Sequence, residues 1–161
     1  MPDYPIVDYP PGAMTSSRPP SHACTRPPTV LIVDDDEYVY GALQAALRGL
    51  HPRLLIATTA SEGAALALEH RPELAIIDVG LPDLDGYQLT ASLRRHGLTE
   101  TRILILTGHA PDEAAARDAG ADALVAKPFS LHQFLDLVRE QLGTDTPAEG
   151  ERVTVNSSSA A

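Results

Sequence analysis

One cysteine, a shortage of basic side chains and no long apolar run mark this sequence before anything it contains does. Cys24 has no second cysteine to pair with, so an internal disulfide is excluded, and nothing near it offers metal-ligand spacing or the setting of a nucleophile. A reducing compartment suits such a chain. Twelve Lys and Arg against twenty-two Asp and Glu leave a net charge of -10, which disfavours direct contact with DNA, RNA or an anionic membrane surface. A partner or ligand carrying positive charge is the natural counterpart. No apolar stretch nears the length of a membrane span, and the N-terminus lacks a basic region followed by a hydrophobic one. These absences point to a cytoplasmic protein with neither membrane nor nucleic acid as a partner.

What is present divides the chain in three. Its 161 residues make one ordinary domain, and a hydrophobic content of 43% is enough to fill the core. Residues 1–29 are dominated by Pro, Ser, Tyr and small side chains with no periodic apolar face, and read as a disordered Pro-rich arm. Met14, inside that arm, is a second candidate start. Residues 143–161 are polar and small apart from a brief Arg-Val-Thr-Val, and read as a disordered tail too short for a second domain. No output domain is expected beside the central segment, residues 30–142.

That segment alternates two patterns. Short continuous apolar runs occur at Val30–Val33, Leu54–Ala57, Leu74–Ile77, Ile103–Leu106 and Ala123–Ala126, and continuous apolarity is what strands buried on both faces require. Between them the spacing turns helical: Val39, Ala42, Leu43, Ala46, Leu47 and Leu50 share one stripe, and Leu131, Phe134, Leu135, Val138 and Leu142 another. Residues 61–70, 87–96 and 111–119 predict three further helices, the last with Pro111 in its first turn and Asp112 and Glu113 complementing the dipole. Strand then helix, five times over, predicts an α/β fold with a parallel sheet and helices on both faces.

In such sheets the ligand crevice lies beyond the carboxyl ends of the strands. The runs end on Asp34-Asp35-Asp36, on Asp78, on Thr107 and on Lys127. Converging carboxylates repel and raise one another's pKa unless a cation sits among them. All-oxygen ligation with no cysteine nearby favours Mg²⁺ over Zn²⁺. Lys127 supplies a point charge for an anion and Thr107 a hydroxyl donor. An aspartate so placed is a candidate covalent acceptor of a phosphoryl group.

The motifs LIVDDDE, IIDVGLPDLDGYQL, ILILTGH and ALVAKPF, in this order, resemble those of receiver domains in the response-regulator family of two-component signalling, and they span the whole of Val30 to Leu142. The resemblance implies a flavodoxin-like doubly wound sheet of five parallel strands in the order 2-1-3-4-5. It implies Asp78 as phosphoacceptor and Asp34 with Asp35 as the acidic pair holding Mg²⁺, Asp35 the more direct ligand. Gly80 would lend its backbone carbonyl to the metal. Thr107 would bond the phosphoryl group after transfer, and Lys127 would pair with it, ahead of Pro128 through a peptide that is often cis in this family. One position departs: where receivers often carry an aromatic residue three before the lysine, this chain has Leu124. A leucine can repack between rotamers, but an aromatic switch is not available there.

Plainer roles account for the neighbours. Asp36 is expected to cap the helix that follows. Pro82, Asp85 and Gly86 read as turn and helix-start residues, Asp83 as solvated, and His109 as a neutral surface histidine. The expected function is a stand-alone phosphorelay receiver, no enzyme beyond its own phosphotransfer and autodephosphorylation. Its donor would be a sensor histidine kinase or histidine phosphotransfer protein; its output would be a downstream protein of unknown identity, a phosphorylation-dependent homodimer or onward transfer. Two alternatives stand beside it. One is a phosphorylation-independent module of receiver fold. The other is a phosphatase of the haloacid dehalogenase type with Asp34 as nucleophile and Asp36 as second acid, weakened by Tyr38 and by the lack of a later Gly-Asp motif.

Overall fold

The computed structural model describes residues 26–143 and, apart from them, the strand pair Val7–Asp8. The rest of the expected arm and tail lies outside the described residues. Six strands are present: β1 (Val7–Asp8), β2 (Thr29–Val33), β3 (Arg53–Ala57), β4 (Leu74–Asp78), β5 (Arg102–Thr107) and β6 (Ala123–Ala126). Five α-helices connect them: α1 (Glu37–Leu47), α2 (Ala60–His70), α3 (Gly86–Arg95), α4 (Glu113–Ala119) and α5 (Leu131–Leu142), with a 3₁₀ turn at Arg48–Leu50 after α1.

The sheet runs β1-β6-β5-β4-β2-β3. Counted over the five apolar runs, this is the order 2-1-3-4-5, all parallel. The sequence pattern did not anticipate β1, which adds a sixth, antiparallel strand against β6. Two residues cannot show a period, so no apolar pattern marks them. Val7–Asp8 and Thr29 are therefore the parts of the expected disordered arm that the structure places in the sheet.

Side chains alternate strictly across the sheet. Leu31, Val33, Ala75, Ile77, Ile103, Ile105 and Leu124 point to the face covered by α2, α3 and α4. Val30, Ile32, Leu74, Ile76, Leu104, Leu106 and Val125 point to the face of α1 and α5, where Leu43, Leu47, Phe134 and Val138 complete the core. Both faces are thus dry, as continuous apolar strands demand. At Gly63 an added Cβ would lie 2.8 Å from Val33 Cγ2, so glycine there lets α2 seat directly on β2. The start of α4 differs from the sequence reading. Asp112 stands outside the helix as its cap, accepting from the Ala115 N–H at 2.9 Å, and Pro111 precedes it. Satisfying an orphan helix donor outweighs extending the helix by two residues. Among the described residues no helix is long and apolar enough to cross a membrane.

Candidate functional site at the carboxyl edge of the sheet

β2 and β4 lie side by side, so the residues that end them meet. Asp78 closes β4 as the last residue of the strand and is only 7% exposed. Asp34 follows β2 directly, its own N–H donating to Ala57 O at 3.0 Å, and its carboxylate is turned inward with 1% exposure. There Asp34 Oδ1 accepts from the Asp36 N–H at 2.9 Å. Asp35 stays exposed above this turn. Asp36 caps α1, accepting from the Tyr38 N–H at 2.9 Å, the role expected of it from the sequence.

One cation serves the buried acids. Lys127, immediately after β6, reaches back so that Nζ lies 2.7 Å from Asp78 Oδ1 and 3.3 Å from Asp34 Oδ2. It is the chain's sole lysine. Burial lowers the affinity of its amine for a proton, but the hydrogen bond and charge of Asp78, with those of Asp34, outweigh burial and hold its pKa above the ordinary value. Burial also pushes the Asp34 carboxyl up; the Asp36 N–H opposes this, Asp78 adds to it, Lys127 opposes it, and the net direction is up. A half-neutralised acidic cluster is the result. The peptide between Lys127 and Pro128 is cis.

Asp34, Asp35 and Asp78 each present a carboxylate oxygen within 4.8 Å of the others. Three hard oxygen donors at that spacing, with no nitrogen or sulfur among them, fit a divalent cation of the Mg²⁺ class. Gly80 sits against the same group: its N–H donates to Asp78 Oδ2 at 3.0 Å, and a Cβ there would crowd that oxygen at 3.3 Å. At Gly86, behind the strand, a Cβ would fall 2.4 Å from the Asp78 carbonyl oxygen, so only glycine permits that approach. The sequence reading treats Gly86 only as a turn residue; its closeness to the Asp78 backbone is a tertiary fact that no local pattern carries.

Thr107 ends β5 with 1% exposure, one residue past the partner of Asp78. Its hydroxyl is engaged by the His109 backbone, accepting from that N–H at 3.2 Å, rather than by Asp78. Leu124 lies in the middle of the apolar cluster beneath α3 and α4, 1% exposed. His109 is exposed, as its surface reading expects. Asp83 is exposed and stands outside the acidic cluster, in keeping with its solvated reading. It has a further role that the sequence reading lacked: it crosses to the start of α2 and accepts from the Ala60 N–H at 2.8 Å, the Ser61 N–H at 2.9 Å and the Ser61 hydroxyl at 2.8 Å. Those bonds hold its carboxyl down at about 2. A partner 22 residues away in sequence is not legible from local composition.

Comparison with known proteins gives a consistent picture. The family model described as "Response regulator receiver domain" matches residues 30–139. The transcriptional regulatory protein KdpE of Mycobacterium tuberculosis is 33% identical over 121 residues, which cover 74% of this chain and 53% of that protein. The KDP operon transcriptional regulatory protein KdpE of Escherichia coli is 35% identical over 113 residues, 70% of this chain and 50% of that one. The chain thus spans about half the length of these curated relatives. Among solved structures, the CheY-like receiver domain protein of Methanospirillum hungatei superposes with a TM-score of 0.68 at 30% identity, over 73% of this chain and 94% of that one.

Proposed function

Because the chain belongs to the response regulator receiver family, we propose that it is a phosphoacceptor switch in which Asp78 takes a phosphoryl group from a phosphohistidine. The observation that carries this reading is the buried Asp78 carboxylate, bonded to Lys127 Nζ at 2.7 Å and clustered with Asp34 and Asp35. An Asp78 oxygen attacks phosphorus, the P–N bond breaks, and its electron pair leaves on the imidazole nitrogen of the donor. An acyl phosphate on Asp78 is the product. Asp34, Asp35, Asp78 and the Gly80 carbonyl would hold Mg²⁺, whose charge would offset the repulsion between carboxylate and incoming phosphoryl oxygens.

The remaining steps fall to the chain's own groups. Lys127 holds the ground-state charge of Asp78 and, after transfer, pairs with the phosphoryl oxygens. Thr107 turns its hydroxyl from the His109 backbone to the phosphoryl group, and Leu124 repacks beneath it. The donor is a histidine kinase or a histidine phosphotransfer protein, and self-catalysed transfer and hydrolysis are its only chemistry. Output follows by protein contact, by phosphorylation-dependent pairing of two copies or by onward transfer from the receiver surface, in the cytoplasm. The relatives are named as transcriptional regulators, and the net charge of -10 disfavours direct contact of this chain's own surface with nucleic acid. Incubation with acetyl phosphate and Mg²⁺, followed by intact mass, tests the reading. Wild type gains one phosphoryl mass only when Mg²⁺ is present, and Asp78→Asn gains none; equal gains in both proteins would overturn it.

A further inference from the structure

β6 has β5 on one side and, on the other, the only antiparallel partner among the described strands: Val7 lies opposite Leu124 and Asp8 opposite Ala123. The strand being covered is Ala-Leu-Val-Ala, with no charge and no proline of its own. An apolar edge without such residues is a template for any extended segment that reaches it. Alternation identifies which backbone group is at stake. The Lys127 N–H donates to Thr107 O on the β5 side at 2.7 Å, and Ile105 stands opposite Leu124, so Ala123 and Val125 turn their amides to β5 and the amide between them, that of Leu124, faces outward to Val7.

The tether makes pairing within one chain easy. β1 and β2 are four strand spacings apart in the sheet, about 19 Å at roughly 4.8 Å each. The twenty residues 9–28 between them can reach about 66 Å when extended. A tethered segment of that kind sits at an effective concentration on the order of millimolar, far above any second copy in dilute solution. The sequence also brackets the pair with Pro5 and Pro10, residues without a backbone N–H to lengthen the ladder.

We propose that the outer edge of β6 is a docking edge for an extended peptide, occupied in the resting protein by the chain's own residues 7–8. The arm is then a shallow strand latch. A partner that uses this edge must displace it, and a proline-free extended segment with basic flanks has the advantage, since it can pair along all of β6 and meets a chain of net charge -10.

Residue-resolved hydrogen exchange on the full chain tests the proposal, comparing wild type with the double variant Val7→Pro/Asp8→Pro and with Val7→Thr, each with its association state checked by light scattering at micromolar concentration. The double variant should exchange the Leu124 amide at least about tenfold faster, while Val125, whose N–H faces β5, and Ile77 in β4 keep their rates. Val7→Thr retains the backbone donor and should leave Leu124 as protected as wild type. Equal Leu124 exchange in wild type and double variant would overturn the latch. Protection present only in a dimer would overturn it as well, by assigning the segment to a second copy. Acetyl phosphate labelling of Asp78 is read separately, so failure of the latch and failure of the phosphoacceptor reading are distinguishable.

Discussion

Asp78, Asp34 and Lys127 form a balance that single substitutions tip in opposite directions. Replacing Lys127 with Met strips the cation from two buried carboxylates. Breaking a fully buried pair costs several kcal/mol, and with the lysine side chain 23% exposed the expected loss is about 1–3 kcal/mol in metal-free urea unfolding. Adding Mg²⁺ should recover part of it, and some phosphorylation should survive; a variant as stable as wild type without Mg²⁺ would show that the lysine does not neutralise the cluster. Asp78→Asn, which removes one of the repelling charges, should leave stability unchanged or slightly raised. Asp83 gives a pH test. Its folded pKa of about 2 lies below the ordinary aspartate value of 3.8, so its stabilising bonds to α2 are fully present above about pH 4 and fade as pH falls toward 2. Wild type should therefore exceed Asp83→Ala in stability at neutral pH, with the gap closing between those values; a gap independent of pH would contradict the ionised cap.

At the scale of elements, glycine and arginine do the positioning. Gly63→Ala gains helix propensity of up to about 1 kcal/mol, yet drives a Cβ to 2.8 Å from the buried, β-branched Val33. Overpacking of this kind costs about 1–3 kcal/mol, so a net loss of roughly 1 kcal/mol in urea unfolding is expected, and a gain would mean that α2 can lift off β2 freely. Arg94 ties three connections together. From α3 it donates to the carbonyls of Leu98, Thr101 and Gly120 and to Asp122, which Arg102 also holds. Arg94→Met leaves these acceptors without their donor in a largely buried setting, and should destabilise by about 2–4 kcal/mol; thermal unfolding within one degree of wild type would refute that role. The helix stripes and apolar runs were legible because each repeats several times. The Arg94 and Asp83 contacts were not, since both are long-range bonds of single polar side chains.

Across the whole molecule, the alternation of strand and helix is enough to give a parallel sheet of five strands, because burial on two faces forces continuous apolarity and the strand-end residues then gather at one edge, while the strand order came only from the family resemblance. Asp34, Asp35, Asp78 and Lys127 were legible for that reason, as strand-end residues. The present hydroxyl partner of Thr107, the approach of Gly86 to the Asp78 backbone and the strand at residues 7–8 needed the folded chain. The central claim, that Asp78 is the acceptor, is tested most directly by trapping the acyl phosphate with borohydride after treatment with acetyl phosphate and Mg²⁺, then sequencing the peptides by mass. Reduction converts a phosphorylated aspartate to homoserine, so the account predicts homoserine at position 78 alone, absent when Mg²⁺ is withheld. Homoserine at Asp34, or a phosphoryl adduct that leaves residue 78 unreduced, would contradict it.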